Sequence, residues 1–358
     1  MAWALQCMWP GTPPNYSKIP MKLSPFATLR SAIPANCTSR VRTANHSPSQ
    51  IKRLCIAAVL ALALGTAAAR ADSPRLVNLS ARGPVGTGAN ILVGGFVIGQ
   101  GSPETVLIRA VGPTLVNFGV HFALLDPVLS LYDSAGVQIQ TNKGWITGNA
   151  TAAIMSSVGA FALPSGSNDS AIVVTLPPGA YTAQIAGASG TPGTALVEIY
   201  EVGATAATAR LINLSVRGLA RSVIQTATET DQQSIITGFE VGVGIGNRSL
   251  LVRVAGPALT QFSLQGVLAD PYLNLVDSTG QHIAENGNWG IPIGQAADAA
   301  TLSAAFAQAG AFPFVTGSLD SALIASIAPG TGDTALVTGD ANSTNNLALI
   351  EVYDITPD

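Results

Sequence analysis

The chain has 358 residues, of which 47% are hydrophobic and only 10% charged, with 37 Gly and 22 Pro. This composition excludes a disordered chain, and its short Val-, Thr- and Ser-containing apolar runs favour strands and tight turns over helices. The net charge of −3 hides a division: residues 1–71 carry eight Lys/Arg and no acid, whereas the rest carries nine Lys/Arg against twenty Asp/Glu, a formal −11. An acidic body whose single lysine is Lys143 is a poor match for nucleic acid or anionic lipid, and suits cations, neutral glycans or basic partners.

The first recognisable element is an export segment. Lys52-Arg53 precede an apolar run from Leu54 to Ala69, which ends in the small-residue pattern Ala69-Arg70-Ala71. A positive region, an apolar core and an A-x-A site make a secretory signal peptide, with cleavage expected before Asp72. The competing reading is a retained membrane anchor, against which the run is short and rich in small residues. Residues 1–51 are polar and aperiodic, as a start site placed too far upstream would produce, and Met21 is a second possible start. All three cysteines (Cys7, Cys37, Cys55) lie in this leader, so a mature chain has no disulfide and no thiolate metal site. The expected location is extracellular, cell-surface or periplasmic, with no membrane span after cleavage.

From residue 75 onward the chain is written twice. Arg75-Leu-Val-Asn-Leu-Ser-Ala-Arg-Gly83 returns as Arg210-Leu-Ile-Asn-Leu-Ser-Val-Arg-Gly218, seven of nine positions identical. Both alternate like a half-buried strand. A second strand follows at 91–98 and 235–243, with Gly94-Gly95 suggesting a bulge or a close backbone approach. The third, 106–115 and 250–259, reads as a buried strand stopped by Gly-Pro. Arg109 and Arg253 sit inside it and need partners.

Asp126-Pro-Val-Leu-Ser-Leu-Tyr-Asp-Ser-Ala-Gly136 then matches Asp270-Pro-Tyr-Leu-Asn-Leu-Val-Asp-Ser-Thr-Gly280 at seven of eleven positions. Each reads as a strand followed by a tight turn with Asx bonding. Trp145 and Trp289 follow beside glycines, and then the one helix-like stretch of each copy, 150–158 and 297–309. Each copy closes with Asp-Ser-Ala (from Asp169 and Asp320), a strand, a Pro-Gly turn and a last strand, Leu196–Tyr200 or Leu349–Tyr353. Residues 219–234 and 331–346 diverge and read as loops. The predicted organisation is a removed leader (1–71), copy one (72–203), a small-residue linker (204–209) and copy two (210–358). The fold class is all-β: two tandem β-sandwich, jelly-roll-like domains, each with one short helix.

The pattern Asp-Pro-x-Leu-x-Leu-Tyr-Asp-Ser-x-Gly, then Asn-x-x-Trp, then Asp-Ser-Ala and Pro-Pro-Gly-Ala-Tyr-Thr resembles the bacterial pre-peptidase C-terminal domains and related secreted jelly-roll modules. The likeness covers roughly the second half of each copy. It departs where an acidic cluster is replaced by Asn142-Lys143-Gly144 and Asn286-Gly287-Asn288, and where copy two lacks the counterpart of Tyr181. The resemblance implies an accessory extracellular module, in some cases calcium-stabilised, rather than a catalytic domain.

Candidate sites are few. Beyond the leader there are two histidines, His121 and His282, at non-matching positions, and no Gly-x-Ser-x-Gly, so a Ser/His/acid triad has little to build on. Calcium is the candidate cofactor, through Asp126, Asp133 and Asn142 in copy one and Asp270, Asp277 and Asn286 in copy two. The plainer alternative is that each Asp caps its own turn. Arg109 with Glu198, and Arg253 with Glu351, read as structural ion pairs. Trp145 and Trp289 are candidate sugar-stacking rings, or else core residues sealing a sandwich. The functional expectation is a non-catalytic extracellular binding or scaffold protein for glycan or cell-envelope material. The alternatives are a secreted carboxylate-dependent hydrolase and a self-assembling surface protein.

Overall fold

The computed structural model describes residues 74–203, 209–220, 235–339 and 346–357. The leader, with its signal peptide and Cys7, Cys37 and Cys55, lies outside the described residues, as do most of the linker and of the 219–234 loop. The described residues fall within one compact unit. The fold is all-β.

Copy one has β1 (Leu76–Val85), β2 (Leu92–Ile98), β3 (Glu104–Val111), β4 (Pro127–Asp133), β5 (Gln138–Asn142), α1 (Ala152–Ser157), β6 (Ser170–Leu176), β7 (Gly179–Gly187) and β8 (Gly193–Glu201). Copy two repeats the series as β9 (Leu211–Leu219), β10 (Ile236–Val241), β11 (Arg248–Ala255), β12 (Tyr272–Val276), β13 (His282–Asn286), α2 (Ala299–Ala309), β14 (Ser321–Ile327), β15 (Thr331–Thr338) and β16 (Leu347–Asp354). Within each copy the strands pair antiparallel in the orders 5-4-7-2 and 6-3-8-1, or their equivalents, which is the strand order of a jelly roll.

The copies meet edge to edge. β1 pairs with β8 of its own copy on one side and with β10 of the other copy on its second side. β9 likewise joins β16 to β2. Two eight-stranded layers result, 5-4-7-2-9-16-11-14 and 6-3-8-1-10-15-12-13, touching each other at Leu76 and Leu211. The pairing covers four strand edges that two separate sandwiches would leave open. One apolar core runs through both copies, with Leu79, Phe96 and Val197 from the first and Leu214, Phe239 and Val252 from the second.

β3 and β8 are buried on both faces. Val106, Ile108 and Ala110 point into the common core, while Leu107 and Val111 point to a second cluster under α1 with Met155 and Phe161. The third cluster repeats this under α2. Thr151 caps α1 by accepting from the Ile154 N–H, and Asp298 caps α2 by accepting from the Thr301 N–H. Gly310 ends α2 in the left-handed conformation.

The Gly-Pro stop after β3 and β11 is steric as well as chemical. A Cβ at Gly112 would lie 2.0 Å from the Leu124 carbonyl oxygen, and one at Gly256 would lie 2.1 Å from that of Leu268. The chain beyond each proline forms a 3-10 turn, Pro113–Phe118 or Pro257–Phe262.

Residues 331–346, expected as a loop, hold a central strand over their first half. β15 pairs with β10 on one side and β12 on the other. Gly332 and Asp333 are weak strand formers that hide its alternation, and two flanking strands override them.

Candidate functional site

The strongest polar features are two equivalent buried networks. In copy one the Arg109 Nε donates to Glu198 Oε2 at 2.8 Å, and its Nη2 donates to the same oxygen. Nη1 donates to the Phe161 carbonyl at 2.6 Å. Tyr200 Oη donates to Glu198 Oε1 at 2.7 Å, and Ser80 Oγ donates there at 3.3 Å. In copy two Arg253 Nε donates to Glu351 Oε2 at 2.7 Å, Nη1 donates to the Phe312 carbonyl at 2.7 Å, and Tyr353 Oη donates to Glu351 Oε1 at 2.6 Å. The register demands these meetings, since Arg109 faces Glu198 and Arg253 faces Glu351 across neighbouring strands. Each guanidinium also lies over an aromatic face, Arg109 at 4.3 Å from Phe161 and Arg253 at 4.3 Å from Phe314. Burial, and then the charge of Glu198, pushes the Tyr200 hydroxyl well above its ordinary value, and burial with Glu351 does the same at Tyr353. These tyrosines are donors held in place, not acids or bases near neutral pH.

A second pair of hubs was not singled out from the sequence. Asp169 Oδ1 accepts from the Gly112 N–H at 2.7 Å, and its Oδ2 accepts from Ser167 Oγ at 2.6 Å and Thr114 Oγ1 at 2.5 Å. Asp320 Oδ1 accepts from the N–H groups of Gly256 and Ala258 at 2.7 and 3.1 Å, and its Oδ2 from Ser318 Oγ at 2.7 Å. Each carboxylate thus ties the Gly-Pro turn to the start of β6 or β14. The recurrence of Asp-Ser-Ala and of Gly-Pro in both copies is the available signal.

The tryptophans do not form a matched exposed pair. Trp289 is 4% exposed and packs among Phe306, Phe314 and Leu302. Its indole N–H reaches the Val315 carbonyl and Ser318 Oγ. Trp145 is half-buried against the cluster under α1 and donates to the Pro164 carbonyl at 3.1 Å. The expectation that both rings offer a face to a sugar is corrected at Trp289, because the longer α2 with Phe306 and Phe314 closes over it.

The proposed oxygen ligands are spread out. Asp133 Oδ1 accepts from the N–H groups of Ala135 and Val137, and Asp277 Oδ1 from those of Thr279 and Gln281. Asn142 Oδ1 accepts from the Ala171 N–H and Asn286 Oδ1 from that of Ala322. Asn142 faces Leu129, and Asn286 faces Leu273, across their hairpins. Asp133 and Asp277 lie four residues further along the same strands, about 13 Å away at the rise of a strand. They therefore do not converge with the asparagines on one ion. Asp126 pairs with Lys143 at 2.8 Å, and Asp270 is exposed.

Two further carboxylates are perturbed. Glu201 is 6% exposed, accepts from the Leu211 N–H at 3.0 Å and pairs with Arg75 at 2.9 Å. Burial outweighs those contacts and pushes its carboxyl up to about 7. Asp333 is pushed up to about 6, first by burial and then by the charge of Asp277. A carboxyl raised in the folded state adds stability below its unfolded value, and that stability is lost as pH rises through the folded value. Stability is accordingly expected to fall between about pH 4.5 and 7, with Glu201 contributing about 3 kcal/mol of that fall. The Glu201→Gln variant should match the parent at pH 4.5 and exceed it at pH 8 in urea unfolding. A variant equally destabilised at both pH values would show that the Arg75 pair outweighs burial.

One open groove of about 480 Å³ lies at an end of copy one, lined by Pro84–Gly86, His121–Ala123, Leu125, Pro192–Thr194 and Leu219. Phe122 and Leu125 are 55% and 70% exposed. The loop is pinned beneath them, since the Leu124 N–H donates to Thr194 and the Thr194 N–H donates to Phe122. Copy two has the same two bonds, from Leu268 to Leu347 and from Leu347 to Gly266, so Gly266 stands where copy one has Phe122. His282, the other histidine, sits on β13 beside Glu285 at 3.5 Å. No helix among the described residues is long and apolar enough to cross a membrane. Comparison with protein-family models and with the curated proteins found no match to this chain.

Proposed function

We propose that the protein is an exported, non-catalytic binding module that takes glycan or cell-envelope material in the groove beside Phe122. The carrying observation is a contrast between the copies. The polar networks that could have served chemistry occur twice with the same partners, which marks them as parts of the fold. The groove of copy one is lined by His121, Phe122 and Leu125, where copy two has Gln265, Gly266 and Ala269 in sequence. Phe122 offers the exposed ring face that Trp289 does not, and Thr194 and His121 offer hydrogen-bonding groups beside it.

The test is retention of the purified chain on a panel of insoluble polysaccharides and cell-wall preparations. Retention on one material should drop at least tenfold in the Phe122→Ala/Leu125→Ser variant, whose exposed positions leave folding intact. Retention unchanged by that variant, or no retention on any material, overturns the reading.

Self-assembly is favoured by a separate observation. Asn149 covers the outer edge of β6 by donating to the Val173 carbonyl at 2.6 Å and accepting from the Val173 N–H at 3.0 Å. The equivalent residue on β14 is Ile324, whose outward N–H and C=O have no such cover among the described residues. An uncharged edge, Ser321-Ala-Leu-Ile-Ala-Ser-Ile327, is a template for another strand. If this edge mediates assembly, Ile324→Pro should shift the sedimentation profile to monomer.

A further inference from the structure

The two copies differ at one buried row that crosses three strands. In copy one Phe96 faces Tyr181 and Tyr181 faces Asp133. The Tyr181 ring stacks on Phe96 at 5.4 Å, and its hydroxyl donates to the Pro177 carbonyl at 2.8 Å. In copy two Phe239 faces Asp333. The adjoining pair is Val276 with Thr334, so the next residues along, Asp277 and Asp333, stand opposite each other. The second copy thus replaces a stacked tyrosine by a carboxylate and sets it against another carboxylate.

Asp333 is 2% exposed, and its Oδ2 has no hydrogen-bond partner among the described residues. Asp277 is fixed by its turn: Oδ1 accepts from the N–H groups of Thr279 and Gln281 and from Thr279 Oγ1. Its Oδ2 takes part in none of these bonds. Neither acid has an ion-pair partner among the described residues. Like charges directly opposite across a sheet repel, and a buried carboxylate without a partner is costly. A hard divalent cation removes both penalties, because it takes carboxylate oxygens from separate strands and completes its shell with water on the exposed side of Asp277.

We propose that Asp277 and Asp333 bind one divalent cation of the calcium class, in the second copy alone. The site joins β12 to β15 and so ties the outer hairpin of copy two to its sheet. Copy one has no equivalent, since Tyr181 fills that position with a ring and makes its own hydrogen bond.

The experiment is calcium titration of the purified full chain by calorimetry after chelator treatment, with thermal unfolding in parallel. One calcium per chain is expected, with a rise in the unfolding midpoint of about 5 °C at saturation. Asp333→Asn and Asp277→Asn should each reduce affinity at least tenfold and abolish the thermal shift, while Asp133→Asn in copy one changes neither. Asp333→Tyr, which restores the arrangement of copy one, should fold without any calcium response. Absence of calcium binding in the parent chain overturns the proposal, as does binding that survives both Asp333→Asn and Asp277→Asn.

Discussion

Replacing Glu198 by alanine is expected to destabilise the protein by about 3–5 kcal/mol, because it leaves the Arg109 guanidinium charged, buried and without its anion. Arg109 and Glu198 are both fully buried, so water cannot take over the lost bonds. Tyr200 and Ser80 lose an acceptor in the same step. The loss is a large share of the roughly 5–15 kcal/mol by which a domain is stable. Urea unfolding should show a lower midpoint with an unchanged slope. The double variant Arg109→Met/Glu198→Leu should recover most of the loss, since it removes both charges and keeps the volume. The equivalent change in copy two, Glu351→Ala, should cost less. Arg253 makes one bond to its glutamate where Arg109 makes two, and its Nη2 already lacks a hydrogen-bond partner among the described residues. A double variant as unstable as Glu198→Ala, or equal costs in the two copies, would show that packing around the side chains matters more than the charge pair.

Copy one expressed alone, as residues 72–203, is expected to dimerise or precipitate rather than remain a monomer. In the whole chain the outer edge of β1 is covered by β10 and that of β2 by β9. Cutting the chain after residue 203 uncovers both edges and exposes the side of the core that Leu214, Phe239 and Val216 cover. The copies are equivalent in these strands, so β1 of one molecule can pair with β2 of a second and rebuild both layers. Sedimentation equilibrium at micromolar concentration should therefore report a dimer or larger species, with unfolding midpoints that rise with concentration. A stable monomer with a cooperative transition would mean that each sandwich is self-sufficient and that the junction contributes little.

These two expectations rest on features of different legibility. The ion pairs were readable because an arginine inside an apolar strand demands a partner, and the last strand of the same copy carries a glutamate. The Asp169 and Asp320 hubs were visible as a repeated motif, but the motif does not say that the carboxylate reaches back to Gly112 or Gly256. Trp289 and Trp145 look alike in sequence, and the difference in their burial comes from α2 being longer than α1 and from Phe306 and Phe314 packing over one ring. Asp333 was hidden in a stretch that reads as a loop, because Gly and Asp interrupt the alternation that marks a strand.

The duplication, the all-β class and most strands of each copy, though not β15, are legible in the residues alone. Alternation, Gly-Pro stops and Asx turns act within a few residues, and a chain carries them wherever it folds. Which edges pair between the copies, that both copies share one core, and that Asp277 faces Asp333 emerge only in the folded chain. Backbone hydrogen bonds carry no side-chain label, so an edge strand accepts any suitable neighbour. The choice falls to the way the whole chain buries its apolar faces.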